Sequence, residues 1–150
     1  MRLWHKDLIP VLPDKWLVAQ WRELSAISGR LNLVGSPQHA LVNKLTQYEW
    51  QHFAEYTFRV YDELVKRGVH IQQKVYDKII SQSKKAFDKF THRLIVYNDY
   101  QDLFYGWHTD RYLNQCFYNL QEKYDCGLLT HGQYLRIKEQ VQKVLDNNCV

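Results

Sequence analysis

The sequence predicts an all-α fold, a single-domain irregular helical bundle with long loops. Three observations predict it. Apolar residues recur three or four apart in several separate stretches, no alternating strand pattern of convincing length occurs, and no internal repeat or low-complexity linker divides the chain. At 150 residues the chain has the size of one domain and can bury a real core, so residues 1–150 are read as a single unit.

Pro10 and Pro13 bracket a turn, and Asp14 is a suitable N-cap for the first helix. Leu17, Trp21 and Leu24 then recur at helical spacing, and Gly29 with Gly35-Ser36-Pro37 marks the exit. The clearest helix carries Phe53, Tyr56, Val60 and Leu64; it closes in Lys66-Arg67-Gly68, a cationic last turn before a glycine. Residues 72–93 are ambiguous, with only Val75, Ile79 and Ile80 for an apolar face. Leu94 to Tyr105 reads as an ordered loop. Thr109 or Asp110 caps a further helix through Tyr112, Leu113, Cys116, Leu120 and Tyr124, which Gly127 ends. The last helix uses Tyr134, Ile137, Val141 and Leu145, and frays at Asn147-Asn148.

Aromatic residues form 15% of the chain, many beside charged residues. Tyr and Trp combine a flat apolar body with a polar tip, which suits either the finishing of a small core or stacking on nucleobases. The net charge of +4 and pI near 8.9 decide little alone. Between Lys74 and Arg93, however, six cations (Lys74, Lys78, Lys84, Lys85, Lys89 and Arg93) face only Asp77 and Asp88, a surplus equal to that of the whole chain. Such a strip suits phosphate contacts or an ordinary solvated helix face. No segment approaches the roughly 18 apolar residues of a membrane span. The N-terminus lacks the apolar run of a signal peptide. Three cysteines without CxxC spacing argue against a disulfide framework or zinc ribbon and suit a reducing cytoplasm.

On the first helix Ala19, Arg22, Glu23 and Ala26 share a face distinct from the apolar stripe. That face sets a cation and a carboxylate between small side chains, where an extended partner can approach. Arg22 can hold a phosphate there and Glu23 can steer protons. On spacing alone an exposed, idle charge pair is the commoner meaning of such a pattern.

The stretch Leu17-Val18-Ala19-Gln20-Trp21-Arg22-Glu23-Leu24, preceded by Leu12-Pro13-Asp14, resembles the first helix of the pyrimidine-dimer DNA glycosylases of the endonuclease V family, in which an aromatic residue precedes Arg-Glu-Leu. The exit Leu64-Val65-Lys66-Arg67-Gly68 is similar to that family's Leu-Lys-Arg-Gly. A bacterial branch grouped with these glycosylases opens as Met1-Arg2-Leu3-Trp4-His5 and Leu8-Ile9-Pro10-Val11-Leu12-Pro13 do here. Its later residues resemble His108, Tyr112-Leu113, Cys116 and Asn119-Leu120.

The resemblance implies a DNA repair glycosylase with AP-lyase activity on UV-damaged, pyrimidine-dimer or abasic DNA. The family nucleophile is the α-amine of the first residue, which forms an imine with the deoxyribose and permits β-elimination. Met1 would supply it, because the large Arg2 blocks methionine removal. An α-amine has a pKa near 7.7–8.0, about 2.5 units below lysine, so a useful fraction is neutral at cellular pH. Glu23 matches the glutamate that stabilises the developing positive charge and moves protons. Arg22 matches a phosphate-binding arginine, and Arg2 takes the place of the basic residue after the nucleophile. Trp16 and Ala26 depart from a histidine and a DNA-binding arginine of the phage-type members. Arg30, Lys84, Lys85 and Lys89 are the cations expected to supplement the phosphate grip.

The expected partner is damaged double-stranded DNA, bound by a monomer with no membrane and no small-molecule cofactor, in the cytoplasm at the nucleoid. The alternative is a non-catalytic DNA-binding protein that keeps the fold without the lyase chemistry. Seven histidines form no HExxH or zinc-like spacing, so no metal site is expected; His5, His39 and His108 are read as scattered surface or core residues. Phe104-Tyr105-Gly106-Trp107 loosely resembles an aromatic DNA-contacting segment of the family, but core packing is the preferred reading. No Gly-rich phosphate loop, GxSxG or Cys/His nucleophile pattern occurs, which sets aside kinase, dehydrogenase and hydrolase readings.

Overall fold

The computed structural model describes residues 2–34, 39–89 and 102–149. These are helical, with no strand among the described residues, and belong to an all-α fold. A short 3-10 turn, Lys6–Leu8, precedes α1 (Asp14–Val34) and the one-turn α2 (Ala40–Asn43). After a second 3-10 turn, Lys44–Gln47, come α3 (Trp50–Lys66), α4 (Gln73–Asp88), α5 (Asp110–Asp125) and α6 (His131–Asn148).

Asp14 is the first helical residue of α1 and not its cap. The carbonyl of Pro13 accepts from the N–H groups of Trp16 and Leu17, at 2.9 and 3.1 Å, and the Asp14 carboxylate turns away to Arg67 at 2.9 Å. Gly29 does not end the helix either. It stands on the half-exposed side of α1, while Ile27, Ser28 and Leu31 are buried against the core, and that packing outweighs one glycine's roughly 1 kcal/mol preference against helix. The expected exit at Gly35-Ser36-Pro37 lies outside the described residues.

The ambiguous stretch resolves into α4, sixteen residues long. Its buried face is Ile79, Ser83, Ala86 and Phe87, so two of its four inward positions are small and raise little apolar periodicity in the sequence. Those small residues let α4 lie close against α1 and α3. Trp50 Nε1 donates to Ser83 Oγ at 2.9 Å, and Phe53 meets Phe87 with ring centres 6.0 Å apart. At the other end Trp21, Tyr61 and Tyr76 form one cluster, Tyr61 and Tyr76 lying 4.7 Å apart. These pairings make α3 antiparallel to both α1 and α4.

The ends of α3 and α5 follow the expected chemistry. Gly68 and Gly127 take the left-handed conformation, with φ of 79° and 75°, that a β-carbon would strain. Thr109 caps α5, its hydroxyl accepting from Tyr112 N–H. A capping box of Thr130 and Gln133, unforeseen in the sequence reading, opens α6. α5 and α6 form an antiparallel hairpin through the stacked rings of Tyr124 and Tyr134, 4.3 Å apart. The loop expected over 94–105 falls outside the described residues as far as 101.

Between these two groups runs the N-terminal segment. Leu3, Trp4, Leu8, Ile9 and Leu12 are all buried in the core that also takes in Ile137 and Val141 of α6. A chain terminus ordinarily frays. Here five apolar side chains between residues 3 and 12 are enclosed, with Val11 half-buried beside them, and at about 1.5–3 kcal/mol for each buried aliphatic side chain this holds the segment in place. The aromatic surplus serves the same core. Phe53, Tyr56, Phe104, Trp107 and Tyr112 are buried, as preferred for Phe104 and Trp107, whereas Phe58, Tyr105 and Tyr118 stay exposed. No helix among the described residues is long and apolar enough to cross a membrane.

Candidate active site

Residues 2–4 lie outside any helix or sheet, so their backbone groups have no such partners, and buried backbone groups must find some. Side chains from three helices provide them. The Arg2 N–H donates to Glu23 Oε2 at 3.2 Å, and the Trp4 N–H donates to Gln20 Oε1 at 2.8 Å. The Trp4 carbonyl accepts from the Tyr56 hydroxyl at 2.7 Å, with Gln20 Oε1 3.0 Å from the same hydroxyl. The Leu3 carbonyl accepts from the Tyr112 hydroxyl. Gln20 Nε2 completes the set by donating to Glu23 Oε2 at 3.4 Å. Thus α1 contributes Gln20 and Glu23, α3 contributes Tyr56 and α5 contributes Tyr112.

Glu23 is half-exposed, and no salt bridge holds it among the described residues. Its carboxylate accepts two weak hydrogen bonds, one of them from the amide that carries the chain back to its first residue. Arg2 is half-buried, its guanidinium 5.6 Å from the centre of the Trp4 ring. Around this pair burial disfavours the charged form of several titratable groups. Burial pushes the hydroxyls of Tyr56 and Tyr112 and the thiol of Cys116 up, away from ionisation. Burial lowers the pKa of His5 against the opposing pull of Asp7, and burial, then His5 and Lys6, lower His108 further.

His5 and His108 do meet, stacked with ring centres 5.1 Å apart, whereas His39 takes no part in that stack. The pair fastens the N-terminal segment to the turn before α5. His108 Nδ1 accepts from the Lys6 N–H at 3.0 Å, and His5 Nδ1 accepts from the Asp7 N–H at 3.2 Å. No group of three His, Cys, Asp or Glu side chains among the described residues is placed to hold a metal ion.

The remaining sequence-selected residues fall on two surfaces. Arg22 and Arg30 are exposed on α1, two turns apart, with the exposed Ala26 between them, and Glu23 stands at the edge of that stripe. Lys84, Lys85 and Lys89 are exposed at the end of α4. Lys84 Nζ stands 5.4 Å from the centre of the Trp50 ring, and Lys89 Nζ lies 3.5 Å from the Asn32 carbonyl, which joins the C-terminal ends of α4 and α1. Met1 and Arg93 lie outside the described residues.

Sequence reasoning missed Gln20, Tyr56 and Tyr112 as site residues. Gln20 had a readable mark, since it lies on the inward stripe of Leu17, Trp21 and Leu24 and is only 1% exposed. A polar side chain on an apolar stripe has to be hydrogen-bonded to something. The tyrosines read as core, and their hydroxyls find partners 52 and 109 residues away, which no local pattern reveals.

No curated relative and no solved structure matches the chain. A family model does, over residues 1–77, from the chain start through α3 into α4 and so including Arg2, Gln20, Arg22, Glu23 and Tyr56; it describes pyrimidine dimer DNA glycosylase. By that match over half its length the chain belongs to the pyrimidine dimer DNA glycosylase family.

Proposed function

We propose that the protein is a DNA glycosylase with AP-lyase activity on pyrimidine-dimer or abasic duplex DNA, in which the α-amine of Met1 attacks the sugar C1′ and Glu23 serves as acid/base and electrostatic stabiliser. The observation that carries this reading is the 3.2 Å contact from the Arg2 amide nitrogen to the Glu23 carboxylate. A single covalent residue separates that nitrogen from the proposed nucleophile. Catalysis of this kind needs an amine that is partly neutral at cellular pH and a nearby carboxylate. The amine displaces the base from C1′, the sugar opens to an imine, and loss of a C2′ proton expels the 3′-phosphate. Glu23 is the group proposed to stabilise the cationic sugar and to relay that proton.

The duplex contacts belong to the same proposal. Arg2 and Arg22 clamp phosphates beside the reacting sugar, and Arg30, Lys84, Lys85 and Lys89 extend the grip. Residues 78–150, beyond the family match, are proposed to be part of the same functional unit, because Tyr112 of α5 holds the Leu3 carbonyl and Gln140 of α6 donates to the Asp7 carbonyl at 2.9 Å. A monomer in the cytoplasm is the expected working form.

Borohydride trapping on an abasic or dimer-containing duplex tests the reading, because reduction fixes only an imine. Wild-type protein with a free Met1 amine is expected to give a covalent adduct at neutral pH. Its absence, with duplex binding retained, removes the enzyme and leaves a DNA-binding protein that has lost the lyase chemistry.

A further inference from the structure

Arg2 is fixed twice, once through its backbone and once through its side chain. Its N–H donates to Glu23 Oε2 at 3.2 Å, while its guanidinium takes part in no salt bridge among the described residues. The groups that hold the side chain are neutral ones. The guanidinium carbon stands 5.6 Å from the centre of the Trp4 ring, inside the roughly 6 Å over which an aromatic face attracts a cation. On the α5 side the guanidinium interacts with the thiol of the buried Cys116 and with Tyr112. Burial pushes the thiol and the phenol up, away from ionisation, so neither supplies an anion to cancel the charge of the arginine.

Trp4 is the rigid member of this arrangement. It is only 6% exposed, its N–H donates to Gln20 Oε1 at 2.8 Å, and its carbonyl accepts from the Tyr56 hydroxyl at 2.7 Å. A residue tied to α1 on one side of its α-carbon and to α3 on the other keeps its indole in a constant place. A guanidinium lies well against such a flat face and still has its donors for an anion. A surface arginine has to give up many rotamers when it grips a phosphate. One already laid on an indole has given up part of them beforehand, and a clamp ordered in advance grips without that loss. A carboxylate in the place of the ring would also fix the side chain, but it would neutralise it.

We propose that Trp4 is a positioning residue for the reaction: its indole face holds the Arg2 guanidinium at the chain start, ready for the phosphate beside the reacting sugar. The inference rests on the lyase reading above, with Arg2 as a phosphate clamp, and names what fixes that clamp. Trp4 acts through Arg2 and has no contact of its own with the DNA. Because the phosphate is covalently joined to the sugar, fixing one fixes the approach of the other to the Met1 amine.

Fluorinated tryptophans placed at position 4 alone test this, since they keep the shape of the indole while each fluorine withdraws electron density from the face that attracts a cation. Single-turnover cleavage of an abasic duplex is measured at saturating protein in the wild-type and Arg2→Gln backgrounds. Glutamine is also too large to permit methionine removal, and its N–H still donates to Glu23, so both features of the chain start are kept. The cleavage rate is expected to fall with each fluorine, by about tenfold across the series, when Arg2 is present, and to stay level in Arg2→Gln. A rate indifferent to fluorine in the wild-type background overturns the positioning role and leaves Trp4 as a core side chain that Arg2 covers. An equal decline in both backgrounds overturns it as well, because the ring then acts on something other than Arg2. Both of those results leave the lyase reading standing. Failure of wild type to form a borohydride-trapped adduct is the distinct outcome that removes that reading and this role together.

Discussion

The amide nitrogen of Arg2 lies 3.2 Å from Glu23 Oε2, across 21 residues of chain. A backbone donor at the chain start and a carboxylate on a rigid helix are thereby held in one geometry. An amide in place of that carboxylate still offers an oxygen to the Arg2 N–H but no longer a charge or a base. Glu23→Gln is therefore expected to unfold at nearly the wild-type temperature and to bind abasic duplex as tightly. Strand cleavage should fall by about 10²–10⁴-fold, the usual range for loss of an acid/base group. Gel assays of binding and of single-turnover cleavage on one duplex check both halves. Cleavage at the wild-type rate would remove Glu23 from the chemistry.

Gln20 supports that geometry without facing the substrate. Its oxygen accepts from the Trp4 N–H and its nitrogen donates to Glu23. Gln20→Leu leaves the buried Trp4 N–H without a partner, at a cost of about 1–3 kcal/mol, and frees both the segment and the carboxylate. Thermal unfolding should drop accordingly. Single-turnover cleavage should fall more than duplex affinity does, because the loss is one of positioning. Equal losses in the two would indicate a purely structural role.

The contrast between Gln20 and its neighbours marks how far the sequence was legible. Helices with a regular apolar stripe, α1, α3, α5 and α6, could be read from spacing, and so could Gly68, Gly127 and Thr109 at their ends. α4 could not, since Ser83 and Ala86 occupy inward positions where the pattern expects bulk. Arg22 and Glu23 stood out through resemblance and through their shared helix face. Two of the groups that hold the chain start beside Glu23 come from α3 and α5, and only tertiary packing brings Tyr56 and Tyr112 to the carbonyls of Trp4 and Leu3.

Those two tyrosines act on adjacent peptide groups of one segment. Tyr56→Phe and Tyr112→Phe each leave a buried carbonyl without its donor, and each should cost about 1–3 kcal/mol in urea unfolding. Once either hydroxyl is lost the segment is looser and the other holds less. The double variant should accordingly lose less than the sum of the singles, with a coupling of at least about 0.5 kcal/mol. Additive losses would mean that the two hydroxyls hold independent parts of the chain.

The exposed cations make a separable claim. Arg22→Gln should weaken damaged and undamaged duplex alike and reduce the salt slope by about 1, as the loss of one phosphate contact does. Lys85→Gln tests the α4 surface in the same way. An unaltered slope in Lys85→Gln, beside a reduced one in Arg22→Gln, would confine the DNA to the α1 face and return the lysines of α4 to the role of a solvated surface.

His108 makes the fold sensitive to acid. Its Nδ1 accepts from the Lys6 N–H, its Nε2 is buried without a partner among the described residues, and burial with His5 and Lys6 alongside holds its pKa well below the usual histidine value. His5, stacked on it, is lowered too by burial, partly offset by Asp7. In the unfolded chain both rings titrate near 6.5. Above that pH neither state binds the protons, and the full stability is present. As pH falls below about 6.5 the unfolded chain takes up protons that the folded chain refuses, so stability falls, by at most about 1.4 kcal/mol per pH unit for each ring. His108→Asn keeps an oxygen near the Nδ1 position for the Lys6 N–H and has nothing to titrate. Its urea-unfolding free energy should therefore decline less steeply than that of wild type between pH 6.5 and 5, whatever its starting value. Parallel curves would show that the His108 ring is protonated in the folded protein as readily as in the unfolded chain, and that its bond to the Lys6 N–H does not depend on a neutral ring.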